Sequence, residues 1–245
     1  MKLYVVGIGP GGVYEMTNRA VAALEASDVI VGYTVYVDLI REQFRYKTLL
    51  ATGMKKEVER CKIAVEECLK GKTVAMVCSG DAGVYGMAGI VHEVARMYPE
   101  VDIEVVPGVT AACSAAAVLG APLIHDFVLI SLSDLLTPWE KIEKRLLLAA
   151  EADFVICLYN PSSKKRHDYL EKACDLIMKY KAKDTVCGYV QHIGREGQMS
   201  HTCTLEELKS AKVDMFTTII IGNSETRLIH EKMVTPRGYE KRYEV

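Results

Sequence analysis

The residues best suited to binding a ligand lie in turns that follow predicted strands. The first turn, residues 7–12 (GIGPGG), satisfies the pattern G-x-G-x-x-G, which is typical of dinucleotide sites. However, Pro10 removes a backbone N–H that a pyrophosphate would use, and the second predicted strand, DVIVGY, does not end in an acidic residue for a ribose hydroxyl. The pattern is therefore weak evidence for a nucleotide site, and a purely structural glycine turn is an alternative.

Two further turns of the first half are rich in small residues. In residues 79–86 (SGDAGVYG), glycines let the backbone approach a ligand, and the Asp81 carboxylate can accept hydrogen bonds from an amino or hydroxyl group. The alternative is a glycine turn in which Asp81 caps the next helix. Residues 107–114 (PGVTAACS) open a helix of small side chains, which permits close packing against another element or against a flat ligand.

Short polar side chains follow a predicted strand of the second half. Thr137 and Pro138 predict a helix start, with threonine as N-cap and proline as the first helical residue. Ser131, Ser133 and Asp134 therefore lie in the loop before that helix. These groups can hydrogen-bond polar groups of a ligand, and the alternative is that they only cap and turn the chain.

A basic cluster lies in the segment YNPSSKKR. A helix is predicted from about residue 163, with Ser162 or Ser163 as its cap, so Lys164, Lys165 and Arg166 would occupy its first turn. Cations there oppose the positive end of the helix dipole, at about 0.3 kcal/mol or more each. Because a bound anion would offset that repulsion, we predict a carboxylate-binding cluster; ordinary solvated charges are the alternative.

Histidine is the side chain best suited to moving a proton near neutral pH. His125, His192 and His201 fall in linker or turn contexts, whereas His92 and His230 lie in helical surroundings that indicate a structural role. His125 directly follows the predicted domain junction. It is the strongest candidate of the six histidines for a chemical role.

Alternating strand-like and helical runs position these turns and predict an α/β fold. We expect an N-terminal α/β domain over residues 1–119, a linker over 120–126 and a C-terminal α/β domain over 127–245. Strand-like runs lie closer together after residue 185, which predicts hairpins and a mixed second sheet. Helices are predicted near residues 17–26, 35–45, 55–70, 85–97 and 109–119, and from residues 138 and 163. In the third helix, Val58, Cys61, Val65, Cys68 and Leu69 recur at helical spacing and predict a buried face.

Composition excludes several classes of protein. The chain has 245 residues, of which 50% are hydrophobic and 25% charged, with a formal net charge of −2. This near-neutral balance provides no overall attraction to nucleic acid or anionic lipid, and no apolar run approaches the roughly 18 residues of a membrane span. The amino terminus lacks the features of a signal peptide. Eight cysteines without a CxxC pair are typical of buried, reduced thiols in a cytoplasmic protein, so we expect no metal site.

Six motifs follow one another in a characteristic order. They are GxGPG, SGD-x-G-x-YGMA, PGVTAACSAAA, ISLSDLLTPWE, YNPSSKKR and IIIGNSET. In this combination the sequence resembles the tetrapyrrole methylases of corrin biosynthesis, from residue 3 to about residue 236. The first three motifs resemble the wider family, which includes uroporphyrinogen III methylases, diphthine synthase and an RNA methylase. ISLSDLLTPWE and YNPSSKKR are similar to the branch that methylates C17 of precorrin-3B or cobalt-factor III.

The resemblance implies a fold, an activity and a cofactor. It implies two α/β domains with a cleft between them, a cytoplasmic homodimer, and S-adenosylmethionine bound folded rather than extended as on a Rossmann sheet. The implied reaction is methylation of C17 with contraction of the macrocycle, in cobalamin (vitamin B12) biosynthesis. Ala82 departs from the proline that the wider family commonly has after Gly-Asp, which puts the shape of that turn in doubt.

Residue by residue, the resemblance also implies a site. The cofactor contacts are expected at Pro10, Ser79, Gly80, Asp81, Val84, Thr110 and Ala111, with weaker expectations at Asn160 and Thr218. The substrate contacts are expected at Gly9, Ser133, Lys164, Lys165 and Arg166, and the catalytic candidates are Ser131, Asp134 and His125.

Three other functions remain open at the level of sequence. A relative of the same fold would methylate another precorrin position, an RNA or a protein. An NAD(P)-dependent oxidoreductase would bind a nicotinamide cofactor in place of S-adenosylmethionine, which a titration with each cofactor distinguishes. A non-catalytic carrier would bind the macrocycle without turnover, which the mass of the product distinguishes.

Overall fold

The computed structural model describes residues 1–163, 167–239 and 242. The chain divides into two compact units, Met1–Ala111 and Ala112–Val245, so the division falls ahead of the predicted boundary after residue 119. The helices are α1 (Asn18–Glu25), α2 (Thr34–Ile40), α3 (Glu57–Leu69), α4 (Ala88–Ala95), α5 (Ala111–Leu119), α6 (Trp139–Glu151), α7 (Tyr169–Ile177) and α8 (Leu205–Leu208). The strands are β1 (Lys2–Gly7), β2 (Val29–Tyr33), β3 (Thr48–Thr52), β4 (Val74–Cys78), β5 (Asp102–Val106), β6 (Gly120–Ala121), β7 (Phe127–Ser131), β8 (Val155–Tyr159), β9 (Val186–Gln191), β10 (Met199–Thr204), β11 (Thr217–Ile221), β12 (Arg227–Ile229) and β13 (Lys232–Val234).

The first unit is a parallel sheet with helices on both faces. Its described strands are ordered β3-β2-β4-β1-β5. Along β4, Val74, Met76 and Cys78 pack with α3 and α4, whereas Ala75 and Val77 pack with α1 and α2. Because both faces are buried, the central strands are continuous apolar runs, as parallel sheets require.

The strand order separates this sheet from a Rossmann sheet. In the Rossmann order, 3-2-1-4-5-6, the first strand lies beside the second. In this protein β1 lies between β4 and β5. The chain after β1 also forms a single 3₁₀ turn, Val13–Glu15, before α1 begins at Asn18 with Thr17 as N-cap. The glycine turn therefore does not lead directly into a helix, as a dinucleotide fingerprint would.

The second unit contains a mixed sheet. Its described strands are ordered β10-β9-β11-β8-β7; β7 and β8 are parallel, and the other neighbours are antiparallel. One face packs on α6, α7 and α8 through Ile156, Leu158, Ile219 and Ile221. A smaller sheet, β12-β13-β6, lies in the same unit. The predicted α/β class and the mixed second sheet are therefore confirmed.

The sequence analysis missed several strands. β3 is an edge strand and only partly buried, so it shows no clear alternation of apolar and polar residues. β10, whose residues 200–202 are polar, forms a hairpin with β9 in which Met199 pairs with Gln191. The short strands β6, β12 and β13 were also not predicted.

Two predicted helix starts are wrong. Pro138 is itself the N-cap of α6, without a side-chain capping bond, so Thr137 is not the cap. The helix predicted from about residue 163 begins at Tyr169, with Asp168 as N-cap, instead of at Ser162 or Ser163. Lys164, Lys165 and Arg166 lie outside the described residues.

The third helix confirms most of its predicted buried face. Cys61, Val65 and Cys68 are buried, but Val58 and Leu69 are 49% and 37% exposed. Six of the eight cysteines are buried, whereas Cys113 is exposed and Cys203 half-buried. None of the described helices is long and apolar enough to span a membrane.

Candidate functional site

Three predicted loops of the first unit meet at the carboxyl end of its sheet. They follow β1, β4 and β5, which are neighbours in the sheet. Gly7 pairs with Cys78 and Val6 with Val106, so the loops leave the sheet at the same level. We call residues 7–12, 79–86 and 107–111 the glycine edge. Ligands of open α/β sheets bind at this end of the strands.

Backbone groups hold the glycine edge together. The N–H of Gly9 donates to Gly80 O at 3.1 Å, and the N–H of Gly80 donates to Gly9 O at 2.7 Å. A Cβ on Gly7 would lie 2.7 Å from both Gly108 N and Gly80 O, and one on Gly86 would lie 2.6 Å from Ala82 C. Glycine is therefore required for the loops to pack this closely.

Asp81 fastens two of these loops to each other. Its Oδ1 accepts hydrogen bonds from the N–H groups of Gly83 at 2.7 Å and Val84 at 3.1 Å, within its own loop. Its Oδ2 accepts from the N–H of Gly108, at 3.0 Å, in the turn after β5. Asp81 does not cap α4, whose N-cap is Met87. The carboxylate thus fixes the shape of the glycine edge by binding backbone donors.

The structure brings together most of the residues predicted to contact a cofactor. The seven in the first unit, and also Gly9, lie in the three loops of the glycine edge: Pro10, Ser79, Gly80, Asp81, Val84, Thr110 and Ala111. Pro10, Gly9 and Gly80 are buried, and the other residues of this group are half-buried. This edge therefore presents mainly backbone and small side chains, and its acid, Asp81, is occupied by backbone donors.

A second cluster forms at one end of the mixed sheet. β7 and β8 end there with Ser131 paired to Tyr159, and the antiparallel strand β11 begins there at Thr217. We call residues 131–134, 159–163 and 217–218 the polar edge. It contains the predicted residues Ser131, Ser133, Asp134, Asn160 and Thr218. Thr218 is only 4% exposed, and Asp134 is exposed.

Ser131 is the centre of a hydrogen-bonded loop. Its Oγ accepts from Asn160 Nδ2 at 2.9 Å and from the N–H of Ser133 at 3.2 Å. Asn160 has a φ of +53°, a left-handed conformation that asparagine adopts more readily than most residues. These bonds tie the loop after β7 to the end of β8.

Two tyrosines complete the polar edge. The hydroxyl of Tyr169, on α7, donates to Asp134 Oδ2 at 2.7 Å, and its ring packs 4.5 Å from that of Trp139. This hydrogen bond raises the pKa of Tyr169, so the phenol stays protonated. The hydroxyl of Tyr159 accepts from the N–H of Ala112 at 2.7 Å. Sequence reasoning missed both partners, because an aromatic residue at a strand end or helix start signals packing rather than a specific contact.

The structure does not bring His125 together with the other catalytic candidates. His125 precedes the amino end of β7, whereas Ser131 is its last residue, and the strand between them spans about 13 Å. Its Nε2 lies 3.7 Å from Glu225 Oε2. His192 follows β9 at the same sheet end as Thr217, and its Nε2 lies 3.6 Å from Asp214 Oδ2.

Two buried thiols near these edges are unreactive. Burial raises the pKa of Cys78, at the end of β4, and of Cys157, in β8, to about 12. Neither is a thiolate at neutral pH, so neither is a nucleophile there. No group of three or more histidine, cysteine or acidic side chains suited to a metal ion occurs among the residues that the structure describes.

Comparison with known proteins identifies a family. A family model described as Tetrapyrrole (Corrin/Porphyrin) Methylases matches residues 2–209. A probable cobalt-factor III C(17)-methyltransferase of Salmonella typhimurium is 47% identical, over 97% of this chain and 99% of its own length. A precorrin-3B C(17)-methyltransferase of a Sinorhizobium species is 39% identical, over 97% and 96% of the two chains.

A solved structure has the same fold. The crystal structure of the methyltransferase CobJ superimposes with a TM-score of 0.87 and 36% identity, covering 96% of this chain and 99% of that one. Such a likeness over nearly the full length of both chains covers the glycine edge and the polar edge together.

Proposed function

The chain belongs to the tetrapyrrole (corrin/porphyrin) methylase family, and from this premise we propose that it is a C-methyltransferase of cobalamin biosynthesis. It transfers a methyl group from S-adenosylmethionine to C17 of cobalt-factor III, with contraction of the macrocycle. The observation that carries this function is 47% identity over nearly the whole of both chains with a relative named for the C17 reaction. Cobalt-factor III is favoured over metal-free precorrin-3B, because the relative named for precorrin-3B is less similar, at 39%.

The glycine edge fits the proposed cofactor. When bound, S-adenosylmethionine supplies a methyl group already activated on a sulfonium, so no protein group is needed to polarise it. What the protein must provide is alignment in a pocket that excludes water. Close-packed loops in which a Cβ would overlap the backbone, as at Gly7 and Gly108, form such a rigid surface. This packing is the support for placing the cofactor against Pro10, residues 79–84 and residues 110–111.

The polar edge supplies the proposed substrate contacts. Ser131, Ser133 and Asp134 offer hydroxyl and carboxylate groups in fixed positions, which suit the ring nitrogens and peripheral groups of a tetrapyrrole. Lys164, Lys165 and Arg166, outside the described residues, are proposed to bind its acetate and propionate groups, and Gly9 to contact it from the glycine edge.

One proton must leave the macrocycle for each methyl group that it receives from a sulfonium. The C17–methyl bond would form with an electron pair of the macrocycle as the methyl–sulfur bond broke, and that bond's electrons would stay on the sulfur of the departing thioether. The positive charge gained by the macrocycle would then be lost with the proton. We propose Ser131 and Asp134 as the groups that orient this step, with Tyr169 holding Asp134. His125 is a separate candidate for carrying the proton. Unchanged turnover in a His125→Ala variant would exclude His125 from that role.

The family also supports a homodimer that acts in the cytoplasm on this small-molecule substrate. Light scattering on the purified protein, as it elutes from a size-exclusion column, measures its mass and tests the dimer directly. A mass of about 54 kDa, twice the 27.2 kDa of one chain, is expected, and a mass near that of one chain would contradict it.

Labelled methyl transfer tests the reaction. Purified protein is incubated anaerobically with S-adenosylmethionine carrying a labelled methyl group and with cobalt-factor III, and the pigment is analysed by mass spectrometry and absorption. We expect one labelled methyl group and a changed spectrum. If label entered only metal-free precorrin-3B in a parallel incubation, precorrin-3B would replace cobalt-factor III as the proposed substrate. Reaction with NAD(P), without binding of S-adenosylmethionine, would overturn the proposed class of enzyme.

A further inference from the structure

A buried arginine lies in the first unit, on the third helix of the chain. Arg60, on α3, is only 4% exposed, whereas Glu57 and Glu59 on the same helix are exposed. Over the part of the chain that the structure describes, its guanidinium forms hydrogen bonds and a ring contact but no ion pair with a carboxylate. Burying a charge without an opposite charge is unfavourable, so this arrangement needs a reason.

The contacts of Arg60 satisfy one side of the guanidinium better than the other. Nε donates to Thr52 Oγ1 at 2.8 Å, and Nη2 donates to Gly53 O at 3.0 Å. Among the residues with described positions, Nη1 meets only the sulfur of Met87, at 3.9 Å, and a thioether is a weak acceptor. The guanidinium carbon lies 5.7 Å from the centre of the Tyr33 ring. The group is thus held in place by two oxygens and an aromatic ring, while its Nη1 side has a poor partner.

These contacts place the guanidinium at the ligand-binding end of the sheet. Tyr33 and Thr52 are the last residues of β2 and β3, and Met87 ends the loop after β4 that belongs to the glycine edge. Gly53 is exposed, and Met87 and Tyr33 are half-buried. The Nη1 side therefore contacts Met87, a half-buried methionine whose side chain is flexible.

We propose that Arg60 binds a carboxylate of a bound ligand through Nη1, at the position that the Met87 sulfur occupies in this structure. This inference rests on the proposed function, which provides carboxylates from two sources. One is the methionine part of S-adenosylmethionine, and the other is the acetate and propionate groups of the macrocycle. The exchange replaces a weak N–H···S contact with a charge-assisted N–H···O bond, and it gives the buried cation its missing counter-charge.

The first test compares ligands with and without the carboxylate. Wild-type protein and an Arg60→Met variant are titrated calorimetrically with S-adenosylhomocysteine and with 5′-methylthioadenosine, which lacks the amino acid part. The same two proteins are titrated with cobalt-factor III and with its methyl ester. We expect Arg60→Met to weaken one carboxylate-bearing ligand by about 10- to 100-fold and its carboxylate-free counterpart by less than about twofold.

The outcomes distinguish the two sources of the carboxylate, and they distinguish a failure of the role of Arg60 from a failure of the proposed function. A loss confined to S-adenosylhomocysteine assigns Arg60 to the cofactor, and a loss confined to the free-acid macrocycle assigns it to the substrate. Equal losses with and without the carboxylate, or no loss with either pair, would overturn the role of Arg60 while leaving the proposed function intact. If the wild-type protein bound neither cofactor analogue nor macrocycle, the proposed function would fail and this inference with it.

The second test keeps Arg60 and therefore keeps the fold. A Met87→Glu variant places a carboxylate beside Nη1, where it pairs with the guanidinium and competes with the ligand. We expect a higher melting temperature and an affinity about tenfold weaker for the ligand identified above. Met87→Gln is the matched control of equal length without charge, and its affinity is expected to change less than about threefold. Equal weakening in both variants would contradict the proposal.

Discussion

The two edges that carry the candidate site are built in opposite ways. At the glycine edge, loops pack backbone against backbone, as in the paired N–H and C=O groups of Gly9 and Gly80, and Asp81 binds only backbone donors. At the polar edge, side chains also bind side chains, as between Asn160 and Ser131 and between Tyr169 and Asp134. A surface made of backbone has one shape and excludes added atoms, whereas a surface made of side chains can change residue by residue on the same sheet. The first construction suits a cofactor shared by a family, and the second suits recognition of one substrate.

The contrast between the two edges would be contradicted most strongly if the loops of the glycine edge tolerated an added methyl group. In a Gly108→Ala variant the new Cβ would overlap Gly80 O and lie 2.5 Å from Gly7 O. We expect the free energy of unfolding to fall by more than about 3 kcal/mol, beyond ordinary overpacking, together with loss of S-adenosylhomocysteine binding. Urea unfolding and calorimetry measure the two effects. Gly12→Ala is the matched control in the same edge, because its Cβ would meet nothing within 4 Å.

The next largest effect is expected from the one carboxylate of the glycine edge that fastens two loops. Asp81→Ala leaves three backbone N–H groups without their acceptor, so we expect the KM for S-adenosylmethionine to rise about tenfold or more while kcat changes less than about threefold. Asp28→Ala is the control, since Asp28 also accepts a backbone N–H but precedes the opposite, amino end of β2. A fall in kcat with an unchanged KM would show that Asp81 acts in the chemistry rather than in shaping the edge.

A smaller effect is expected at the polar edge, and there it should concern the macrocycle rather than the cofactor. Ser131→Ala removes the acceptor shared by Asn160 and Ser133, and the loop after β7 loses its tie to β8. We expect kcat/KM for the macrocycle to fall about fivefold to tenfold and the affinity for S-adenosylhomocysteine to stay within about twofold. Ser200→Ala, on the exposed strand β10, is the control. Weakened binding of the cofactor analogue alone would reverse the assignment of the two edges.

The smallest effect is expected from a hydroxyl that positions Asp134. Tyr169→Phe keeps the packing on Trp139 and removes the hydrogen bond, so kcat/KM should fall about twofold to threefold. The bond needs a protonated phenol, and Asp134 raises the pKa of Tyr169 above its ordinary value near 10. The ratio of wild-type to variant activity should therefore stay constant from pH 7 to about 9. Tyr180→Phe, at an exposed tyrosine, should change nothing. A ratio that fell toward one within this range would show that the phenol loses its proton too early, which would contradict the raised pKa of Tyr169.

The sequence predicted the parts of the fold that local patterns determine. Continuous apolar runs such as VAMVC predicted the buried strand β4, and helical spacing predicted that Cys61 and Cys68 are buried. The family, the α/β class and the C17-methyltransferase activity predicted from the motifs are confirmed by the comparisons. Strand β3 was missed because it lies at a sheet edge, where partial burial leaves no alternation to detect.

The sequence predicted which loops make up the glycine edge but not what holds them together. The three loops of the glycine edge could be named from their residues, but their meeting depends on β1 lying between β4 and β5, which is a property of the tertiary fold. A local signal also misled, because Ser162 and Ser163 resemble a helix cap although α7 begins at Tyr169. The burial of Arg60 could have been predicted from helical spacing, because Arg60 shares a face of α3 with Ala64 and Cys68.

Hydrogen exchange tests most directly whether the backbone-built edge holds the cofactor. Amide exchange is followed by mass spectrometry with and without S-adenosylhomocysteine. We predict that the largest slowing occurs in peptides covering residues 79–86 and 107–111, where the loops gain a ligand and lose fluctuation. Slowing confined to residues 127–163 and 217–226, with none in the first unit, would contradict the account.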